Sequence, residues 1–395
     1  MWIPPSITNM KNLFINNPKE IYLNSGTESK TPITVLNAIE NCKHEYELNP
    51  TLGFVNSYQK LWEVQKQIAV FFHCDPAELF LRNNITEVMN QFILGCPLPA
   101  GSEILVTNLE YQAILNCVRF KAEKEQLPIK VVDIPVKNDL EKGEILDLIK
   151  KAITPKTAML VISHVFTGTG VVVPIKELAE ITQALGIKLV VDGAHSPGAL
   201  NVDFRELGQV DFFGGNFHKW MMGPKGTAFG WTNKKHHASL SPLLAGWTTF
   251  DTTSPFDLFG GGSRFASKMM PVGTQNFCQF LGVQELLNFW ELHNQEILRN
   301  KLEQLTLLGE KLIREQTSLK SLYPKDKELQ GPLVTFALPE KLEKEGYLLM
   351  HRLYKENHLQ VASTKIKGVW HLRVSPHIYN TPGELTQTAT LLKKL

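Results

Sequence analysis

The stretch KLVVDGAHSPGALNVDFRELGQVDFFGGNFHKWMMGPKGTAFGW, Lys188 to Trp231, decides the fold. It carries three short apolar runs, KLVVD, DFFGGN and TAFGW, separated by turn-forming Gly, Pro, Asp and Asn. Runs that are apolar at nearly every position suit strands covered on both faces, as parallel sheets require. Asp192 closes the first run, at the carboxyl end where open α/β sheets place ligands. Lys219 follows among Phe217, Trp220, Met221 and Met222. Apolar surroundings disfavour an ammonium ion, so the pKa of such an amine falls and a nucleophilic nitrogen becomes available. Taken singly, Lys219 also fits a surface lysine lying along apolar neighbours, and Asp192 a turn or cap residue.

Outward from this segment, EILVTN (Glu103 to Asn108), KVVDI (Lys130 to Ile134) and AMLVISHV (Ala158 to Val165) have the same strand-like character. Between them EKGEILDLIKKAI and PIKELAEITQALG carry apolar positions at helical period, the second opening on Pro174 and closing on Gly186. Alternating strand and helix signals predict a doubly wound, mostly parallel α/β domain. The character changes after GGGSRF (Gly260 to Phe265), and a long amphipathic pattern from about Phe277 to Gln316 predicts extended helix. GPLVTFALP, LQVASTKI and VWHLRVSP then suggest the strands of a smaller α+β domain. The expected division is residues 20–275 and 276–395, with residues 1–19 packing on the second part.

The 395 residues are 43% hydrophobic and 20% charged, with 41 basic and 39 acidic side chains giving a net charge of +2. That balance gives no electrostatic footprint for nucleic acid or a membrane surface, so a small-molecule partner is expected. The five cysteines are widely spaced without a CxxC pair, which argues against a disulfide framework and against a metal site and fits a cytoplasmic protein. No run reaches the length of a membrane span.

Several motifs resemble those of the class V aminotransferase family of fold type I pyridoxal phosphate enzymes, most closely its isopenicillin N epimerase-like branch beside the cysteine desulfurases. The similarity extends from LNSGT near Leu23 to RVSPHIYNT at Arg373. It implies pyridoxal 5'-phosphate as cofactor, with Lys219 as the Schiff-base lysine, Asp192 as partner of the pyridine nitrogen and His195 bonding the phenolic oxygen. Asn216 and His218 are implied on the phosphate, as are Asn84, Ile85 and Thr86, where LRNNITEVM opens a helix. A helix N-terminus offers N–H groups and a positive dipole end to a phosphate, although Asn or Thr there also fits a plain N-cap. Tyr111 stands where desulfurases stack a histidine on the ring, and Thr167 where they carry an asparagine. Gly273 and Thr274 match a segment that reaches the neighbouring subunit's phosphate, which implies a homodimer. Arg373 resembles the clamp for the substrate carboxylate, and Asn24, Ser25 and Gly26 the loop on the substrate side.

Desulfurases place a nucleophilic cysteine shortly before that arginine, and this chain has none after Cys278. The expected chemistry is therefore not Cys-dependent desulfuration. Once Lys219 removes an α-proton, reprotonation on the opposite face gives epimerisation or racemisation, loss of a β-substituent gives C–S lyase chemistry on a cysteine conjugate or sulfoxide, and protonation at the cofactor gives aminotransfer. Epimerase-like chemistry on an amino-acid-like substrate is the first expectation, with Tyr111 and Gly246 to Thr248 as candidates for the pocket. A binding or regulatory protein that kept the fold would be marked by loss of Lys219 or Asp192, and both are present.

Overall fold

The protein is seen in a computed structural model that describes residues 10–250 and 263–395. Residues 1–9 and the three glycines of GGGSRF, on which two of the domain expectations fall, lie outside the described residues. Strand β1 (Ile21–Tyr22) is the first among the described residues, after a short 3-10 turn at Met10–Leu13. The central seven-stranded sheet comprises β2 (Leu79–Arg82), β3 (Glu103–Thr107), β4 (Ile129–Val132), β5 (Thr157–Ser163), β6 (Lys188–Asp192), β7 (Phe212–Asn216) and β8 (Ala228–Thr232). Its spatial order is β2-β8-β7-β6-β5-β3-β4. The C-terminal part adds β9 (Lys320–Ser321), β10 (Val334–Ala337), β11 (Leu359–Gln360), β12 (Ala362–Ile366) and β13 (Val369–Val374). Four of these make an antiparallel sheet, β12-β13-β10-β9. β1 pairs with β11, so Ile21 and Tyr22 hydrogen-bond with the C-terminal part although they follow the expected boundary at residue 20.

Successive side chains of a strand point to opposite faces, and the sheet sorts them accordingly. Leu160, Ile162, Leu189 and Val191 enter one apolar cluster, while Met159, Val161 and Val190 enter the other. Helices α1 (Ile33–Leu48) and α2 (Pro50–Phe72) contribute to the first cluster, and α3 (Ile85–Gly95) and α4 (Gln112–Glu125) to the second. The helices α5 (Lys142–Ala152) and α6 (Ile175–Ala184) return to the first. Apolar residues on both faces thus bury the central strands, while Val131 on the edge strand β4 stays exposed, and the carboxyl ends of β5, β6 and β7 converge around Asp192, opposite Ser163 and Gly214.

Two expectations need correction. The run TAFGW is a buried strand, but β8 lies antiparallel to both β7 and β2. A parallel return needs a long crossover, usually a helix, and only a short loop separates Asn216 from Ala228. The segment from Phe277 to Gln316 is two helices. After α7 (Trp247–Phe250) and α8 (Arg264–Met269), α9 (Phe277–Leu292) stops before Asn294, whose φ of 60° breaks the helical path. The Asn294 side chain then accepts from the N–H groups of Glu296 and Ile297 and caps α10 (Gln295–Gln316).

Residues near the N-terminus reach the C-terminal part as well. Phe14 meets Tyr379 edge-on with ring centroids 5.0 Å apart, and Lys11 forms an ion pair with Glu384. Among the described residues, no helix is long and apolar enough to cross a membrane, and no group of three His, Cys, Asp or Glu could hold a metal ion.

Candidate active site

Lys219 lies on the tight loop joining β7 to β8. Gly223 N–H closes back on the Phe217 carbonyl at 2.6 Å, and Met222 N–H donates to the Lys219 carbonyl at 2.9 Å. Phe217, Trp220, Met221 and Met222 are all fully buried, which anchors the loop and leaves the lysine only partly open to solvent. Burial pushes its pKa down from 10.5 to about 8, against the opposing pull of Asp192, with Arg373 lowering it further. At pH 7 roughly a tenth of such an amine is neutral, against roughly one part in three thousand for an ordinary lysine. Capture of an aldehyde by Lys219 should therefore rise about tenfold per pH unit up to about pH 8 and then level off, measured by borohydride trapping with pyridoxal phosphate on protein stripped of cofactor.

Asp192 ends β6. One carboxylate oxygen accepts from Ala194 N–H at 2.9 Å, and burial raises the pKa although that bond and the Lys219 charge both lower it. Three residues on, His195 is buried with Nε2 at 3.2 Å from Lys219 Nζ and 2.9 Å from Thr167 Oγ1. Its pKa lies well below the usual value, chiefly from burial and then from the positive charges of Lys219 and Arg373. The imidazole is neutral throughout the physiological range.

Toward α3, the Asn84 side chain accepts from Glu87 N–H at 2.9 Å, which makes it the N-cap and occupies its oxygen. Asn84→Ala should cost about 1 kcal/mol of stability, read from denaturant midpoints of the cofactor-free protein. Ile85 and Thr86 then occupy the first turn, where backbone N–H groups lack intrahelical partners. A Cβ on Gly214 would sit 2.6 Å from Ile85 Cδ1, so only glycine lets α3 approach β7 this closely. Nearby, both amide atoms of buried Asn216, the His218 Nδ1 and the Ser196 hydroxyl have no hydrogen-bond partner among the described residues. Buried polar groups are normally paired. This collection of orphans beside a helix N-terminus suits an oxygen-rich anion such as a phosphate.

Arg373, on β13, is the best-held cation of the site and is 7% exposed. Its Nη1 donates to the Thr167 carbonyl at 3.1 Å and hydroxyl at 3.3 Å, and its Nη2 to Thr27 Oγ1 at 2.9 Å and Asn24 Oδ1 at 3.4 Å, while Nε is unpartnered. The loop Asn24 to Gly26 is clasped to the end of β13 by Ser25 N–H donating to the Ser375 carbonyl. A Cβ on Gly26 would meet Ser375 Oγ at 2.8 Å and the guanidinium at 3.5 Å.

The structure therefore gathers Lys219, Asp192, His195, Thr167, Arg373 and Asn24 through direct bonds or charge contacts. Tyr111, the N-cap of α4, is half exposed and within charge range of Arg373. Gly273 and Thr274 instead line an open cavity of about 460 Å³ with Phe54, Tyr58 and residues 245–248, so Gly246 to Thr248 belong to that cavity too. Sequence reasoning missed Thr27, whose hydroxyl holds Arg373, and treated Trp220 as apolar packing only. It also missed Glu110, a buried carboxylate that accepts from Thr107 Oγ1 and from Ser163 N–H and Oγ, its pKa pushed up to about 7 by burial.

Residues 21–365 match the family model for class-V aminotransferases. The isopenicillin N epimerase of Streptomyces clavuligerus is 26% identical over 384 residues, 96% of this chain and 95% of that protein. A probable cysteine desulfurase of Methanothermobacter thermautotrophicus is 26% identical over 275 residues, 68% of this chain and 66% of that protein. Among solved structures, C-DES with glycine covalently linked to its PLP cofactor superposes with a TM-score of 0.87 at 20% identity, covering 98% of this chain and all of that one. C-DES is described elsewhere as a cystine C–S lyase. The architecture is thus the pyridoxal phosphate fold type I, with a large, mostly parallel sheet covered by helices.

Proposed function

The chain belongs to the class V aminotransferase family, whose enzymes depend on pyridoxal 5'-phosphate, and from that premise we propose that it works at the α-carbon of an amino-acid-like substrate as an epimerase or racemase. The observation that carries action at the α-carbon is the Lys219 amine, pushed to a pKa of about 8 between His195 and the charges of Asp192 and Arg373, a base that epimerase, lyase and aminotransfer chemistry share. The residues present fit the cofactor: orphaned Asn216, His218 and Ser196 and the first turn of α3 suit its phosphate, Asp192 its ring nitrogen and His195 its phenolic oxygen. Bound there, it would supply the electron sink for charge developing at the α-carbon.

The chain's own residues do the rest. Lys219 takes the α-proton as a neutral amine, which its lowered pKa makes available near neutrality, and inversion requires a second acid to return a proton to the opposite face. Arg373 offers its free Nε–H and adjacent Nη2–H to the substrate carboxylate as two parallel bonds, giving up the long bond to Asn24. Thr27 and Thr167 hold the guanidinium plane in place. Support for the epimerase over the alternatives comes from the epimerase relative, aligned over nearly its whole length. Against Cys-dependent sulfur transfer stand the positions of the cysteines. Cys96 and Cys117 lie in the apolar cluster around α3 and α4, with thiols pushed up to about 11 and about 12 by burial. Cys42 and Cys278 face one another at 2.9 Å between α1 and α9.

The decisive experiment is incubation with a panel of amino acids in heavy water. Deuterium at the α-carbon with inverted configuration is the expected result. A keto acid released with a thiol would replace the reading with a C–S lyase, and accumulation of aminated cofactor with an aminotransferase. A colourless protein that never takes up pyridoxal phosphate would leave a binding or regulatory role.

We also place the enzyme in the cytoplasm as a homodimer. Strongly exposed Trp247 lines the cavity with Phe54, Gly273 and Thr274, and the exposed Leu52, Val55 and Phe250 are near neighbours of Phe54 and Trp247 in the chain. An apolar rim of this kind suits burial against a second copy, which would bring Thr274 to the neighbouring site. Sedimentation should give twice the chain mass, and Thr274→Ala should weaken cofactor retention without dissociating the dimer.

A further inference from the structure

Trp220, read from sequence as packing, holds a specific place in the site. Its indole is fully buried, and its Nε1–H donates to His195 Nδ1 at 3.1 Å. An indole nitrogen can only donate. The accepting Nδ1 therefore carries no proton, and the single proton of a neutral imidazole is left on Nε2. That nitrogen faces Thr167 Oγ1 at 2.9 Å and Lys219 Nζ at 3.2 Å. The donor direction is thus set at the buried end and runs toward the reacting lysine.

A second histidine fixes the tryptophan. Ile378 N–H donates to His377 Nδ1 at 2.8 Å, so His377 also carries its proton on Nε2, which donates to the Trp220 carbonyl at 3.1 Å. Its ring stacks on the indole, 5.7 Å between centroids and 25° between planes. Tyr379 stacks in turn on His377 at 5.2 Å and shares a hydrogen bond with Ser25 Oγ at 2.6 Å. Burial holds His377 neutral, with a pKa of about 3. A buried column of rings therefore connects the substrate-side loop to the far side of His195.

We propose that Trp220 is a positioning residue that locks His195 in the neutral Nε2–H form, so that His195 serves the Lys219 site only as a hydrogen-bond donor, with His377 holding the indole in place. The proposal rests on the reading of Lys219 and His195 as cofactor contacts, and it concerns a property of the protein that exists before any cofactor binds. With the lock in place, His195 donates to an anionic oxygen beside Lys219 and does not accept the lysine's proton. Without it, the proton can move to Nδ1, and the bare Nε2 then competes for the Lys219 ammonium as an acceptor. A buried tryptophan finds some partner in most proteins, so the test must report on the histidine itself.

The experiment uses full-length protein with 15N-labelled histidine rings, stripped of cofactor, with the His195 signal assigned by its absence from His195→Asn. Long-range proton–nitrogen correlations distinguish the two tautomers. Wild type should show His195 in the Nε2–H form alone between pH 6 and 8, whereas Trp220→Phe should show the Nδ1–H form as well. Benzothienylalanine at position 220 keeps the shape and ring stacking while removing only the N–H, and it should reproduce the Trp220→Phe result even where phenylalanine disturbs folding. After reconstitution, turnover of the isostere should fall roughly tenfold at unchanged cofactor uptake, the effect of losing one neutral hydrogen bond. A single unchanged Nε2–H signal in the isostere would overturn the proposal. Failure of wild type to bind pyridoxal phosphate would overturn the functional reading and leave the tautomer result standing.

Discussion

Lys219→Ala is expected to abolish turnover, by about 10⁴-fold or more, and to remove the visible absorbance that reports a covalent link between enzyme and cofactor. The residue supplies both the anchoring nitrogen and the base, and a positioned base alone is worth about 10²–10⁴-fold. Loss of fold would mimic this result, so stability must be followed in the same variant. The folded-state pKa of Lys219 lies at about 8, below its ordinary 10.5. Its charged form therefore costs the cofactor-free fold stability below about pH 8, and that cost fades as pH rises toward 10.5. Alanine removes the cost together with the charge, so the stripped variant should unfold no earlier than wild type at pH 7, and its advantage should shrink by pH 10. A variant that keeps its yellow colour and turns over at a tenth of the wild-type rate would sink the assignment.

The legibility of this protein differs between its levels. Strands β3 and β5 to β7 were plain in the sequence because unbroken apolar runs leave no doubt about burial on both faces. Their directions were not plain, since a run such as TAFGW reads alike whichever way it lies. Direction follows from what the connection can span, and the loop after Asn216 carries no helix. β2 was overlooked because LFLR is too short to carry a period of its own, and the break at Asn294 was hidden inside a continuous amphipathic pattern.

At the site, His195, Asn216 and His218 lie a few residues from Asp192 or Lys219, and the family's motifs also reached distant residues such as Thr167, Arg373 and Asn24. The residues that hold them in place were out of reach because their partners are far away in sequence. Thr27 meets Arg373 only after β1 has paired with β11 and the N-terminal loop has been clasped beside β13. Trp220 is next to Lys219 in sequence, yet its donor role depends on His195, which the fold supplies from the loop after a different strand. Hydrogen-bond direction is a property of the assembled site, and no spacing in the chain encodes it.

The second large effect concerns Asp192. Asp192→Asn preserves the shape and keeps an oxygen for the Ala194 N–H bond, so the change is confined to charge. Activity should fall by roughly 10²–10³-fold, the usual loss when one preorganised polar partner of developing charge is removed. Stability of the cofactor-free protein should move the other way. Burial raises the Asp192 pKa, the largest influence on it, against the favourable Ala194 bond and the Lys219 charge. A raised carboxylate pKa means that the ionised form costs the fold stability above its ordinary titration range, and the cost disappears as pH falls low enough to protonate the group in both states. The neutral amide carries no such cost, so the stripped Asn variant should melt higher than wild type at pH 7 and draw level with it in acid. With Asp192 gone, Lys219 also loses the charge that raises its pKa, and its titration midpoint should drop below about 8. An Asn variant that is both fully active and less stable would show that the carboxylate serves as a turn residue at the end of β6, and the pairing of Asp192 with Lys219 across the site would have no chemical purpose.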